Sequence, residues 1–369
     1  MLYLDNAATG PIRPEVLEAM APYLTRDYGN PASRHTVGER AAAAVEDARS
    51  RIAGVLGMRR GDVVFTSGGT EANNLAVKGV ALAALAHRGA RHIVTTAVEH
   101  ESILESAAYL ARFHGIEATV VGVDGDGAAS ADELAAAIRP DTSLVSMGLA
   151  NNEVGTVQIV PDVAVPLHLD AVQAAGWLDL RSTGADALSL AGHKVGAPKG
   201  VGVLAIRGRI PLEPLVHGGG QQRGRRSGTE SAALAVAMAR ALELAEDERE
   251  ECVRRVAAIR DDFVARVLSL IPSARLTGHP ARRLPGSASF TFAGTSGEAV
   301  LLELERRGVV SSSGSACAAG SDEPSHVLVA MGVPPEVAQT SVRFTLAHGH
   351  SRPLDDVADA VAAAVRAVA

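Results

Sequence analysis

Ser189-Leu190-Ala191-Gly192-His193-Lys194-Val195-Gly196-Ala197-Pro198-Lys199-Gly200 decides how this chain is read. An alternating apolar pattern over Ala185-Asp186-Ala187-Leu188-Ser189-Leu190 predicts a strand. It runs into small residues, a His-Lys pair and a Gly/Pro turn, then a second apolar strand, Val201 to Ile206. A lysine delivered to the end of a buried strand is out of place as packing. Burial disfavours the ammonium and leaves a nucleophilic amine, the group that Schiff-base chemistry with a carbonyl compound requires. Alone, these residues also describe a solvated loop, so the reading turns on what the other strand ends carry.

Upstream, the chain alternates. Strand Asp62–Thr66 meets helix Thr70–Leu85, strand His92–Ala97 meets helix Ser102–Phe113, strand Ala118–Val123 meets helix Ala131–Ile138, and strand Ser143–Leu149 follows. This rhythm predicts an α/β fold with a large, doubly wound, mostly parallel sheet, in which ligands bind beyond the carboxyl ends of the strands. Helices are expected over Pro14–Leu24 and Gly38–Leu56, before the first strand of that series. Beyond Glu230 the texture changes to long helical patterns, Ser231–Glu246 and Glu250–Ile271. Strand Ser287–Phe292, helix Gly297–Arg307, the small-residue stretch Ser311–Gly320, strand Ser341–Leu346 and helix Leu354–Val368 come next. The expected organisation is a large domain over 14–249 and a smaller α+β domain over 1–13 and 250–369.

With 369 residues, 47% hydrophobic and 21% charged, the chain has enough apolar residues for a large core. Its 35 basic and 42 acidic residues give a net charge of −7, and no basic stripe interleaved with aromatics appears, so nucleic acid is not an expected partner. No run reaches the length of a membrane span, and Asp5 stands where a secretion signal would be basic, then apolar. Two cysteines, Cys252 and Cys317, make no disulfide framework. A cytoplasmic location is the expectation.

Phe65-Thr66-Ser67-Gly68-Gly69-Thr70-Glu71 leaves a strand and opens a helix; glycines, free amides and the helix dipole there suit an anion such as a phosphate. The spacing fits neither a P-loop nor a dinucleotide fingerprint. Glu99-His100-Glu101 and Asn151-Asn152-Glu153-Val154-Gly155 end two further strands. In His168-Leu169-Asp170-Ala171-Val172-Gln173 an acid closes an apolar strand, where it needs a partner such as a protonated pyridine nitrogen. Phosphate cradle, strand-end aspartate and strand-end lysine together describe the three handles of pyridoxal 5′-phosphate. The reading calls for no metal.

These stretches carry a resemblance along nearly the whole chain. Together with Tyr3-Leu4-Asp5-Asn6-Ala7-Ala8-Thr9, Gly29-Asn30-Pro31, Ala72-Asn73-Asn74, Gly192-His193-Lys194, His217-Gly218-Gly219-Gly220, Arg226-Ser227-Gly228-Thr229, Ser312-Ser313-Gly314-Ser315-Ala316-Cys317 and Ser341-Val342-Arg343-Phe344, the sequence resembles the cysteine desulfurases. These are a branch of the class V aminotransferase group, fold-type I pyridoxal-phosphate enzymes. By that resemblance Lys194 binds the cofactor aldehyde and later moves the Cα proton, His100 stacks on the pyridine ring as acid or base, and Asp170 faces the ring nitrogen. Gln173 is implied to bind the phenolic oxygen. Gly69, Thr70 and His193 are implied to bind phosphate, joined by Thr229 from the partner subunit of a homodimer. Asn152 and Arg343 are implied to hold the substrate carboxylate.

The resemblance implies conversion of L-cysteine to L-alanine, with sulfur passing to Cys317 as a persulfide and then to an acceptor protein. Cys317 sits among small residues from Ser311 to Pro324, a segment expected to be mobile, with a reach on the order of 20 Å when extended. Cys252, in a charged helical run, is read as incidental. Three features depart from the family's pattern. Ala191 replaces a phosphate-binding serine; Thr156–Leu167 leaves only a short irregular connection where the family has a helix; and Leu346-Ala347-His348-Gly349-His350 follows Arg343 in place of the usual Gly-Arg. A selenocysteine lyase, another β-eliminating class V enzyme and a catalytically lapsed sulfur-relay subunit remain alternatives. The acceptor, in iron–sulfur assembly, tRNA thiolation, DNA phosphorothioation or cofactor synthesis, stays open.

Overall fold

The structure is a computed structural model that describes residues 1–314 and 323–369. The expectation for Cys317 lies outside the described residues. In chain order the strands are β1 (Leu2–Tyr3), β2 (Val63–Thr66), β3 (His92–Thr96), β4 (Glu117–Val121), β5 (Thr142–Gly148) and β6 (Leu167–Asp170). They continue with β7 (Ala187–Ala191), β8 (Gly202–Ile206), β9 (Ala274–Leu276), β10 (Ser287–Phe292), β11 (Val309–Val310) and β12 (Val342–Thr345).

Seven of these strands form one sheet in the order β2-β8-β7-β6-β5-β3-β4. Pairing is parallel from β7 through β6, β5 and β3 to β4; β8 runs antiparallel to both its neighbours, β2 and β7. Apart from the edge strand β4, the strands are buried on both faces, and alternation sorts their side chains: Val63 and Phe65 enter one apolar cluster, and Val64 between them enters the other. Helices Pro14–Met20, Thr36–Leu56 and Ala232–Asp247 cover the first face, and Gly69–Arg88 and Glu101–His114 the second. Helix ends follow local chemistry. Gly57 and Gly89 close two of these helices at φ 64° and 68°, a left-handed conformation that costs glycine little.

A second, antiparallel sheet, β12-β10-β9, carries its own cluster. Phe290, Phe292 and Phe344 pack against Val256, Phe263 and Val267 of helix Arg249–Leu270 and against helices Gly297–Arg306 and Asp355–Val368. Phe263 meets Phe344 edge-on with ring centroids 5.2 Å apart. Between the two sheets runs the N-terminal arm. β1 pairs with β11, Asp5 bridges to Thr345, and the backbone amides of Gly10 and Arg13 donate to the carbonyls of His193 and Gly196.

The expected helix Pro14–Leu24 is broken into Pro14–Met20 and Pro22–Thr25, because Pro22 has no N–H to give to the turn before it. The short strands β1, β9 and β11 went unanticipated: two or three residues long, they show no period. From Gly148 to Leu167 there is no helix, as the short spacing predicts. Val157, Val160, Val163 and Val165 from this connection lie half-buried against the first sheet cluster. Among the described residues, no helix is long and apolar enough to cross a membrane.

Candidate active site

The carboxyl ends of four strands converge. β3 leads to Glu99 and His100, β5 to Asn151 and Asn152, β6 ends on Asp170, and β7 turns into a single 3-10 turn, Gly192–Lys194. They surround a cavity of about 380 Å³, lined by Gly69, Thr70, His100, Asn152, Asp170, Gln173, His193, Lys194 and Arg343 among others. Nine positions singled out in the sequence thus share one space. Thr229 lies elsewhere in its own chain, in a cleft with Ser67, Gln222 and Arg226.

Each side chain is fixed by something local. Asn151 Oδ1 accepts from the amides of Glu153 and Val154, and its Nδ2 donates to the Val98 carbonyl at 2.9 Å. This Asx turn presents Asn152. Asp170 Oδ1 accepts from the Val172 amide at 2.9 Å, and Oδ2 from Asn73 Nδ2 at 2.7 Å. His100 caps helix Glu101–His114, its Nδ1 accepting from the Ser102 amide at 3.0 Å. A backbone amide can only donate, so Nδ1 is bare and the proton of the neutral ring sits on Nε2.

The N-terminal arm supplies partners for the remaining groups. Lys194 Nζ donates to the carbonyls of Ala7 and Ala8, the latter at 2.7 Å, and Gln173 Nε2 donates to the same Ala7 carbonyl at 2.9 Å. His193 Nδ1 lies 3.2 Å from Thr9 Oγ1. Burial, with Lys194 and Lys199 nearby, lowers His193 to a pKa of about 4, so it is neutral at pH 7. Arg343 is 2% exposed; Nη2 donates to Asp5 Oδ1 at 2.7 Å and Nη1 to the Asn152 carbonyl at 2.8 Å.

Glu99 also lines this cavity and is fully enclosed. Burial, reinforced by Asp170 and opposed by the Thr96 hydroxyl, pushes it up to about 8, so it is a neutral acid at pH 7. Among the described residues its Oε2 has no hydrogen-bond partner within normal geometry. A second cavity of about 350 Å³ shares Ala7, Asn152, Val172, Gln173 and Lys194 with the first and extends to Trp177, His348 and the Arg13–Glu248 ion pair.

Sequence reasoning gave no role to Asp5, Asn73, Glu99 or Ser102. Asp5 has no local signal, its partner being 338 residues away. Asn73 did: it is four residues after Gly69 and so on the same helix face, aimed at the strand ends.

The site fits a pyridoxal phosphate. Helix Gly69–Arg88 starts at Gly68 with no side-chain cap, leaving its first amides for an anion. Space there depends on glycine: a Cβ on Gly69 would come within 2.7 Å of Val172 Cγ2. The same cavity holds an amine, a carboxylate with neutral hydrogen-bond partners, and Asn73, whose buried Oδ1 has no hydrogen-bond partner among the described residues.

A three-layer sheet with lysine, aspartate and a bare helix start at one mouth belongs to the class-V aminotransferase family, which matches residues 2–352 of this chain. Within that family the relatives are cysteine desulfurases. A protein named cysteine desulfurase IscS from Dictyoglomus turgidum is 44% identical over 354 residues, covering 94% of this chain and 89% of the relative. A solved structure described as a NifS-like protein superposes with a TM-score of 0.89 at 34% identity, over 99% of this chain and 98% of that one. Another, described as SspA in complex with cysteine, gives 0.82 at 34% identity over 94% and 99%.

Proposed function

We propose that this protein is a pyridoxal-phosphate-dependent cysteine desulfurase that takes sulfur from L-cysteine, leaves L-alanine and loads Cys317 for an acceptor protein. The observation that carries this reading is the placement of Lys194, Asp170, the uncapped start of helix Gly69–Arg88 and Arg343 around one cavity. Its relatives' names and the cysteine held by a structural neighbour support the same substrate.

In this reading Gly69, Thr70 and His193 hold the phosphate, Gln173 the phenolic oxygen and Asp170 the ring nitrogen. Bound there, pyridoxal phosphate supplies an aldehyde for an amine to condense with and a ring that accepts the electron pair released when a Cα–H bond breaks. Lys194 carries that proton at Nζ once it leaves the carbonyls of Ala7 and Ala8. His100 offers a proton from Nε2, since Nδ1 is committed to the Ser102 amide. The guanidinium of Arg343, with Asn152, takes the substrate carboxylate and so sets which end of the amino acid faces Lys194.

Transfer balances without an outside oxidant: L-cysteine and the Cys317 thiol become L-alanine and a Cys317 persulfide. The bond broken is carbon–sulfur, and the bond formed is sulfur–sulfur. Thr229, outside its own chain's cavity, reaches the phosphate of a partner subunit in a homodimer. The deciding experiment gives the purified protein pyridoxal phosphate and L-cysteine and measures alanine and a radiolabelled persulfide. Wild type produces both, Lys194→Ala neither, and Cys317→Ser binds cofactor without persulfide. Equal turnover in Lys194→Ala would overturn the assignment.

A further inference from the structure

One side chain joins two groups, Asp170 and His100, that line the proposed cofactor cavity. Asn73 is 2% exposed, on the first turns of helix Gly69–Arg88. Its Nδ2 has two hydrogens and uses both: one goes to Asp170 Oδ2 at 2.7 Å, the other to Ser102 Oγ at 2.9 Å. Ser102 Oγ in turn lies 2.8 Å from His100 Nδ1. The orientation of the Asn73 amide is forced, since a flip would press its carbonyl oxygen against the Asp170 carboxylate.

The protons then follow. Ser102 Oγ accepts from Asn73, so its own hydrogen points to the bare Nδ1 of His100, beside the Ser102 amide. The line Asp170–Asn73–Ser102–His100 diverges at Asn73, which donates to Asp170 on one side and to Ser102 on the other, with Ser102 donating onward to His100. Asn73 lines the cavity, and its buried Oδ1 has no hydrogen-bond partner among the described residues.

We propose that Asn73 is a positioning residue, whose amide ties the Asp170 carboxylate to the Ser102 hydroxyl so that the ring-nitrogen partner and His100 are set as one unit. This rests on the pyridoxal-phosphate reading for what the unit serves, though the tie itself belongs to the protein alone. Chemically, the amide must donate twice, and a packing role must not. Aspartate is the isostere that keeps the shape and removes both donors while placing a carboxylate against Asp170.

The test therefore compares Asn73→Asp, Asn73→Ala and Ser102→Ala in the full-length protein, with two readouts. The first is cofactor affinity, from the absorbance of the bound cofactor on titration. Asn73→Asp is expected to bind at least tenfold more weakly than wild type and no better than Asn73→Ala, whereas Ser102→Ala, which spares Asp170, stays within threefold. The second is the ring ¹⁵N resonance pair of His100 in cofactor-free protein, assigned by its loss in His100→Gln. It is expected to move in Ser102→Ala and in both Asn73 variants. Wild-type affinity in Asn73→Asp, or an unmoved His100 resonance in Ser102→Ala and both Asn73 variants, would overturn the proposal. Failure of wild type to take the cofactor through Lys194 would instead overturn the functional reading, and the ¹⁵N comparison would still decide the tie.

Discussion

Arg343 Nη2 donates to Asp5 Oδ1 at 2.7 Å, joining a strand of the small sheet to the N-terminal arm. The guanidinium is 2% exposed and also donates to the Asn152 and Gly314 carbonyls. A buried guanidinium stripped of its carboxylate keeps its desolvation penalty and loses its compensation. Asp5→Asn keeps an acceptor but removes the charge, and is expected to lower stability by about 1–3 kcal/mol, read as a drop in urea midpoint. Arg343→Lys keeps the charge but offers no planar fork, so one ammonium cannot serve these three acceptors and a substrate carboxylate together. The expected result is a KM for L-cysteine raised at least tenfold; an unchanged KM would remove Arg343 from substrate binding.

Glu99 gives stability a pH dependence on the neutral side. Its pKa rises from 4.5 in the unfolded chain to about 8 in the native protein. The native state therefore keeps a proton that the unfolded chain releases, and its contribution is fully present below about 4.5 and lost as pH climbs toward 8. Glu99→Gln carries no such proton, and its amide nitrogen can occupy the place of Oε2, which has no hydrogen-bond partner among the described residues. The variant is expected to match wild type near pH 4.5 and exceed it at pH 8 by on the order of 4 kcal/mol. Denaturant midpoints at the two pH values check this; equal differences at both would show that Glu99 is ionised in the native state.

His168 acts on the acid side. Its Nδ1 lies 2.9 Å from Ser146 Oγ and its Nε2 2.8 Å from Ser189 Oγ, a rung across β5, β6 and β7, and burial lowers its pKa from 6.5 to about 3. The unfolded chain takes up a proton below 6.5 that the native ring refuses, so this contribution is intact above 6.5 and lost as pH falls toward 3. By pH 5 the loss is on the order of 2 kcal/mol. His168→Asn is expected to be less stable at pH 7, where one serine link is gone, yet to lose less between pH 7 and pH 5. A parallel decline in both proteins would reject a neutral buried His168.

The sequence made the strand ends legible because their chemistry is local: Asp170, Lys194 and His100 each follow an apolar run whose period names the strand. The architecture followed from the same alternation. What did not show was whatever depends on distant pairing. The arm residues Asp5, Ala7 and Thr9 meet Arg343, Lys194, Gln173 and His193 through separations of 166 to 338 residues, and two of those contacts are backbone carbonyls with no side-chain signature. Glu99 was noticed only as the neighbour of His100, since enclosure, unlike period, leaves no mark in a short loop.

In the proposed pyridoxal-phosphate site, Ala191 stands where the family pattern leads one to expect a serine hydroxyl donor to the phosphate. It ends β7, is 2% exposed, and lines the cavity 3.4 Å from the point where a Cβ on Gly69 would sit. A hydroxyl added to Ala191 would therefore stand beside the free amides at the start of helix Gly69–Arg88, where a phosphate oxygen is expected, and it brings a rotatable donor with little extra volume. One net hydrogen bond is worth about 0.5–1.5 kcal/mol, and a tenfold change in affinity about 1.4. Ala191→Ser should accordingly tighten pyridoxal phosphate roughly three- to tenfold, measured by titrating cofactor-free protein, with the Lys194-dependent absorbance otherwise unaltered. An unchanged affinity would mean that another group already fills the phosphate's last acceptor, and Thr229→Ala, which removes the donor expected from the partner subunit, would then weaken binding in the Ala191 background by the same factor.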